Sequence, residues 1–134
     1  MERFLKAQEY SYLLAKKELE NGRKESHWMW YIFPQIKGLG RSSMANYYAI
    51  KDIQEAKAYL NHEVLKARLN ELCHILLKLE EQDPVNIFGY IDAMKLQSCM
   101  TLFMQVDESG LYQKVLDKFY NGRVDEKTLE LIKK

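Results

Sequence analysis

His62-Glu-Val-Leu-Lys-Ala-Arg-Leu-Asn-Glu-Leu-Cys-His-Ile-Leu-Leu-Lys-Leu-Glu80 has the clearest period in the chain. Leu65, Leu69, Leu72, Leu76 and Leu79 alternate spacings of four and three, which lays them along one stripe of an α-helix. At little more than two heptads, the stripe predicts a seam against a partner helix inside a core rather than an extended coiled coil.

Outward from that seam the same grammar repeats. Asp83-Pro84 pairs a capping residue with a proline at the first helical position, and Gly89 stops the short helix they open. Asp92 reads as the cap of a helix over 93–106. There Ala93, Leu96, Cys99, Met100, Phe103 and Met104 fall on one arc, and Lys95, Ser98, Thr101 and Gln105 on the other. Leu111, Val115, Leu116 and Phe119 make the apolar face of the next helix, Asn121-Gly122 stops it, and Asp125 caps a last one. Toward the N-terminus, Asp52-Ile-Gln-Glu55 is a capping box whose helix runs to Asn61, itself a cap for the next. Residues 2–20 are amphipathic, with Phe4, Ala7, Tyr12, Ala15 and Leu19 in register and Asn21-Gly22 as the stop. Ser26 is a candidate cap for a helix carrying His27 to Phe33, which Pro34 should end. No β-branched residues alternate over a strand's length. The expectation is an all-α fold, one domain over residues 1–134, with about eight helices.

Formal net charge is +1, from 20 basic and 19 acidic residues, which argues against a surface built for bulk nucleic acid or anionic membrane. Met1-Glu-Arg-Phe-Leu-Lys6 has no apolar signal region, and no run approaches the ~18 apolar residues of a membrane span. Cys73 and Cys99 lie far apart without ligand spacing, so no metal or other cofactor is expected and both read as buried apolar residues. A cytoplasmic monomer or homodimer is the default reading.

The densest chemistry lies in 25–48. Trp28, Trp30, Tyr31, Phe33, Tyr47 and Tyr48 surround Pro34, Gln35, Gly38 and Gly40, followed by Arg41, Ser42 and Ser43 at a helix start. Residues two apart on a helix point about 200° apart, so one tryptophan can enter the core while the other lines a pocket, or both can simply pack. Gly38-Leu-Gly-Arg-Ser42 offers backbone N–H groups and a guanidinium to a small anion, or is a tight turn with Arg41 in a structural ion pair. His27 stands at a helix start, as a site imidazole or an exposed one. Asp92, Lys95 and Ser98 recur every three residues and share a helix side. That side is either a solvated polar face or one wall of a cleft, with Asp92 as general base or ribose ligand and Lys95 orienting a substrate.

Several strings together resemble a family catalogued as domain of unknown function 1810. They are Ser26-His-Trp-Met-Trp-Tyr-Ile-Phe-Pro-Gln35, Gly38-Leu-Gly-Arg-Ser42, Ile87-Phe-Gly89, Asp92, Lys95-Leu96, Ser98-Cys-Met-Thr-Leu-Phe103, and Phe119-Tyr-Asn-Gly122 with Asp125 and Thr128-Leu129. Cys99 departs from the usual second serine. The resemblance implies a helical, bacterial-type cytosolic protein without an assigned activity. Some relatives carry a calpastatin label, which these residues do not support. The order of the second half is similar to the NADAR superfamily, whose helical proteins act on ADP-ribose or related N-glycosides. The resulting expectation is a small anionic or nucleotide-like ligand. Trp28, Trp30, Gln35, Gly38, Gly40, Arg41, Ser42 and Ser98 would bind it, with Asp92, Lys95 and His27 available for hydrolysis or transfer at an N-glycosidic bond. The competing expectation is a non-enzymatic helical interaction module.

Overall fold

The seam at Leu65, Leu69, Leu72 and Leu76 is buried along its whole length, and Leu79, just past the helix end, is half-buried. In this computed structural model, which describes residues 1–133, nine helices follow one another. They are α1 (Glu2–Glu20), α2 (Met29–Ile32), α3 (Ser43–Tyr48), α4 (Ile53–Asn61), α5 (Glu63–Lys78), α6 (Pro84–Phe88), α7 (Tyr90–Met104), α8 (Leu111–Tyr120) and α9 (Glu126–Ile132). The only strand-like pairing among the described residues is a single parallel bridge between Ile36 and Ile50. The protein is all-α.

Four local caps hold where they were read. Ser42, Asp52, Asp83 and Asp125 each accept a hydrogen bond from a backbone N–H two or three residues on, which satisfies donors that a helix start leaves free. Three expected caps differ. His62 rather than Asn61 caps α5, its Nδ1 accepting from the amide of Leu65. Ser26 caps nothing, because its hydroxyl donates to Glu18 instead, and α2 is a single turn from Met29 to Ile32. Asp92 lies inside the first turn of α7, because Gly89, at φ 80°, both ends α6 and begins α7. Glycine bears that positive φ without a Cβ clash, so one residue turns the corner.

α5 ends without a glycine at its stop. Lys118, reaching across from α8, donates to the carbonyls of Leu76 and Leu77 at 2.8 and 3.1 Å and to that of Leu79. A cation here satisfies carbonyls at the negative end of the helix.

The core is an aromatic line. Phe4 meets Tyr59 edge-on at 5.2 Å, Tyr59 meets Phe103 at 5.1 Å, and Phe103 meets Tyr112 at 6.1 Å. The polar tips of the two tyrosines are satisfied: Gln8 donates to the Tyr59 hydroxyl, and Tyr112 donates to Asn70. α7 runs through the middle, packed against α4, α6, α8 and α9. Ser98 and Thr101, read as a polar face, are therefore buried with the rest of it. Each hydroxyl donates back to the carbonyl four residues earlier, Met94 and Gln97, which lets the helix be enclosed on that side as well. Cys73 and Cys99 are buried and unpaired in disulfides, and burial pushes both thiols up.

Candidate functional site

The site is assembled on the segment between α1 and α2. Glu18, 6% exposed near the end of α1, accepts from the amides of Glu25 (2.8 Å) and Ser26 (2.9 Å), the Ser26 hydroxyl and the Trp28 indole N–H (2.9 Å). Burial alone would raise its carboxyl. The hydrogen bonds from Ser26, Glu25 and Trp28 win, and hold it down at about 2. Trp28 is thereby fixed in the core, 1% exposed.

The same segment delivers Lys24. Its backbone N–H donates to the carbonyl of Ile87 at 2.7 Å, and its side chain, only 8% exposed, lies 5.0 Å over the Trp28 ring. Its ammonium contacts Asp92 Oδ2 at 2.9 Å. The other oxygen, Asp92 Oδ1, faces Lys95 at 3.6 Å, and Lys95 lies 5.6 Å over the Trp30 ring. One carboxylate thus stands between two ammonium groups, each resting on a tryptophan face. Such partners offset the cost of taking a nearly buried ammonium out of water.

Beside this cluster opens a cleft of about 340 Å³. Its body is apolar, from Leu39, Ile91 and Met94; Gln35, Lys95, Ser98, Asp125 and Lys127 add polar groups, and Gly40 closes the wall. Gln35 is pinned there by the Ile36–Ile50 bridge, since its carbonyl accepts from Ile50 N–H at 2.8 Å and Lys37 N–H donates to Ile50 O at 2.8 Å. Gln35 and Gly40 also line a small hollow shared with Trp30 and Tyr48. Asp125 is held by its cap: Oδ2 accepts from the Thr128 amide (3.2 Å), the Thr128 hydroxyl and the Ser98 hydroxyl (3.0 Å). Among the described residues no three His, Cys, Asp or Glu converge in the manner a metal ion needs. No helix among them is long and apolar enough to cross a membrane.

The family model described as "Protein of unknown function (DUF1810)" matches residues 1–132. The chain belongs to the DUF1810 family. It is similar to a crystal structure of the conserved hypothetical protein Rv1873 from Mycobacterium tuberculosis, with 39% identity and a TM-score of 0.96. The match covers 99% of this chain and 96% of that one. No curated protein matches it.

In this DUF1810 protein the expected site residues separate into groups. Gln35, Gly40, Lys95 and Ser98 line one cleft, Trp30 adjoins it, and Asp92 stands behind Lys95. Trp28 does not line the cleft, because its indole is committed to Glu18 inside the core. Ser42 is occupied capping α3, and Gly38 lies against Leu131 rather than in the cleft. His27 and Arg41 are exposed and outside the cleft lining, and among the described residues neither side chain makes a hydrogen bond or ion pair. Ser98 reaches the cleft wall with its single hydroxyl proton already shared between Asp125 and Met94. Glu18, Lys24, Asp125 and Lys127 were not read as site residues. Asp125 and Thr128 stood in the family-matching strings, a signal that a cap alone does not account for.

Proposed function

We propose that this protein binds a small anionic, nucleotide-like ligand in the cleft between the Gln35–Gly40 loop, α7 and the start of α9. The carrying observation is the composition of that cleft, where apolar side chains share the lining with two lysines, Lys95 and Lys127, and a fixed aspartate, Asp125. Small-molecule sites combine this kind of mostly apolar wall with a few convergent polar groups. Among the residues that line the cleft, Lys95 and Lys127 against Asp125 leave one net positive charge, which suits an anion. Lys127 and Glu130, 4.0 Å apart, are both largely exposed, so water screens the two charges alike.

Binding has more support here than hydrolysis or transfer at an N-glycosidic bond. Asp92 has each oxygen engaged by an ammonium and does not line the cleft. His27 lies outside the cleft lining. A helical interaction module has separate support in α1, whose Tyr10 and Leu13 are 85% and 76% exposed.

Thermal unfolding with a panel of nucleotides and ADP-ribose tests the proposal. A ligand at a hundredfold excess over Kd stabilises the native state by about 2.7 kcal/mol. The expected result is such a shift in wild type, lost in Lys95→Ala/Lys127→Ala. No shift with any member of the panel, or an equal shift in the double variant, rejects it.

A further inference from the structure

We infer that Asp125 is the specificity-determining residue of the cleft, reading a ligand hydroxyl, and that the ligand is the size of a nucleoside monophosphate. The inference rests on the binding reading above and narrows it. An ionised carboxylate accepts through two oxygens with about four lone-pair sites. Oδ2 of Asp125 accepts from Thr128 twice and from Ser98, while Oδ1 accepts from nothing among the described residues. The side chain has no freedom left to lose. Thr128 and Thr101 beneath it are fully buried, and Thr101 Oγ1 accepts from the Asp125 backbone N–H at 2.9 Å. A group held this firmly before binding has little ordering entropy to lose.

The chemistry of the ligand follows from what each wall can offer. Lys95 and Lys127 only donate, so they take an anion. Asp125 only accepts, so it takes a donor, and beside an anion that donor is a hydroxyl. The start of α9 is already closed by Asp125 itself, so the recognising atom is the free carboxylate oxygen and not the helix end. The apolar wall of Leu39, Ile91 and Met94 favours a molecule with a flat apolar body over a bare sugar phosphate. At about 340 Å³ the cleft is near the lower end of the roughly 300–1,000 Å³ of small-molecule sites. A base, a ribose and one phosphate fill that volume, and a second ribosyl group exceeds it.

The probes are adenosine 5′-monophosphate, its 2′,3′-dideoxy analogue and ADP-ribose, titrated calorimetrically into wild type and Asp125→Asn. Asparagine still caps a helix but presents a different group toward the cleft. Circular dichroism verifies the variant's fold, and the analogue comparison in wild type needs no variant at all. We expect the dideoxy analogue to bind wild type about tenfold more weakly than adenosine 5′-monophosphate, one good hydrogen bond's worth. Asp125→Asn should remove that difference, and ADP-ribose should bind no tighter than the monophosphate. Equal binding of monophosphate and dideoxy analogue to wild type overturns the hydroxyl reading while leaving the binding proposal standing. ADP-ribose binding tenfold tighter overturns the size assignment. No binding of any of the three to wild type overturns the inference together with the reading it rests on.

Discussion

Glu18→Gln probes the joint on which the site is built. The Glu18 carboxyl is lowered from 4.5 to about 2 in the folded protein, which corresponds to about 3 kcal/mol of preference for the charged form. Because the folded value is the lower one, this stability is fully present above pH 4.5 and is lost as pH falls toward 2. Glutamine keeps the shape and one carbonyl acceptor, but charge-assisted hydrogen bonds from Glu25, Ser26 and Trp28 become neutral ones. The expected loss at pH 7 is about 2–3 kcal/mol, shrinking to about 1 kcal/mol at pH 3 because the folded-state value lies lower still. Urea unfolding at steps from pH 7 to pH 3 measures both. Glu55 and Glu71 are lowered as well and steepen the wild-type profile, but they are present in both proteins, so the difference isolates Glu18. A loss below about 0.5 kcal/mol at pH 7, or parallel pH profiles, would refute the reasoning.

Two further outcomes follow from the same geometry. Trp28→Phe should cost about 2 kcal/mol by leaving Glu18 short of a donor, whereas Trp30→Phe should cost little stability; acrylamide should quench Trp30 in Trp28→Phe readily and Trp28 in Trp30→Phe poorly, and equal quenching contradicts the assignment. Gly40→Ala places a Cβ 2.5 Å from that of Ala45, so the loop must move off α3; about 1–3 kcal/mol should be lost in chemical denaturation together with ligand affinity, and an unchanged midpoint would show the loop is not packed as described.

What the chain reveals before folding depends on how far each interaction reaches. Ser42, Asp52, Asp83 and Asp125 cap helices two or three residues away, so composition and spacing suffice to find them. Ser26 fails the same test because Glu18, a residue on the previous helix, takes its hydroxyl. Asp92 fails because Gly89 starts α7 a turn early, and the freed carboxylate finds Lys24, a partner no periodicity can show. The tryptophan pair was half legible. Two residues apart they must diverge, but only the Glu18 acceptor decides that Trp28 is the inward one.

The polar side of α7 carries the sharper lesson. Helical arithmetic correctly gathers Lys95, Ser98 and Thr101 on one side, and then offers water or a cleft as the alternatives. The structure divides that side along its length. Lys95 reaches the cleft, while Thr101 and most of Ser98 are covered by the turn that leads into α9. A hydroxyl that bonds back to its own helix needs no solvent, so a serine or threonine does not mark an exposed face as a lysine does. The hydroxyls still reach beyond the helix, and here both find Asp125: Ser98 shares its one proton with the carboxylate, and the Thr101 oxygen accepts from the backbone N–H. A buried polar pair on a helix face is thus the imprint of a distant residue held in place, and here the residue so held is Asp125, which lines the cleft.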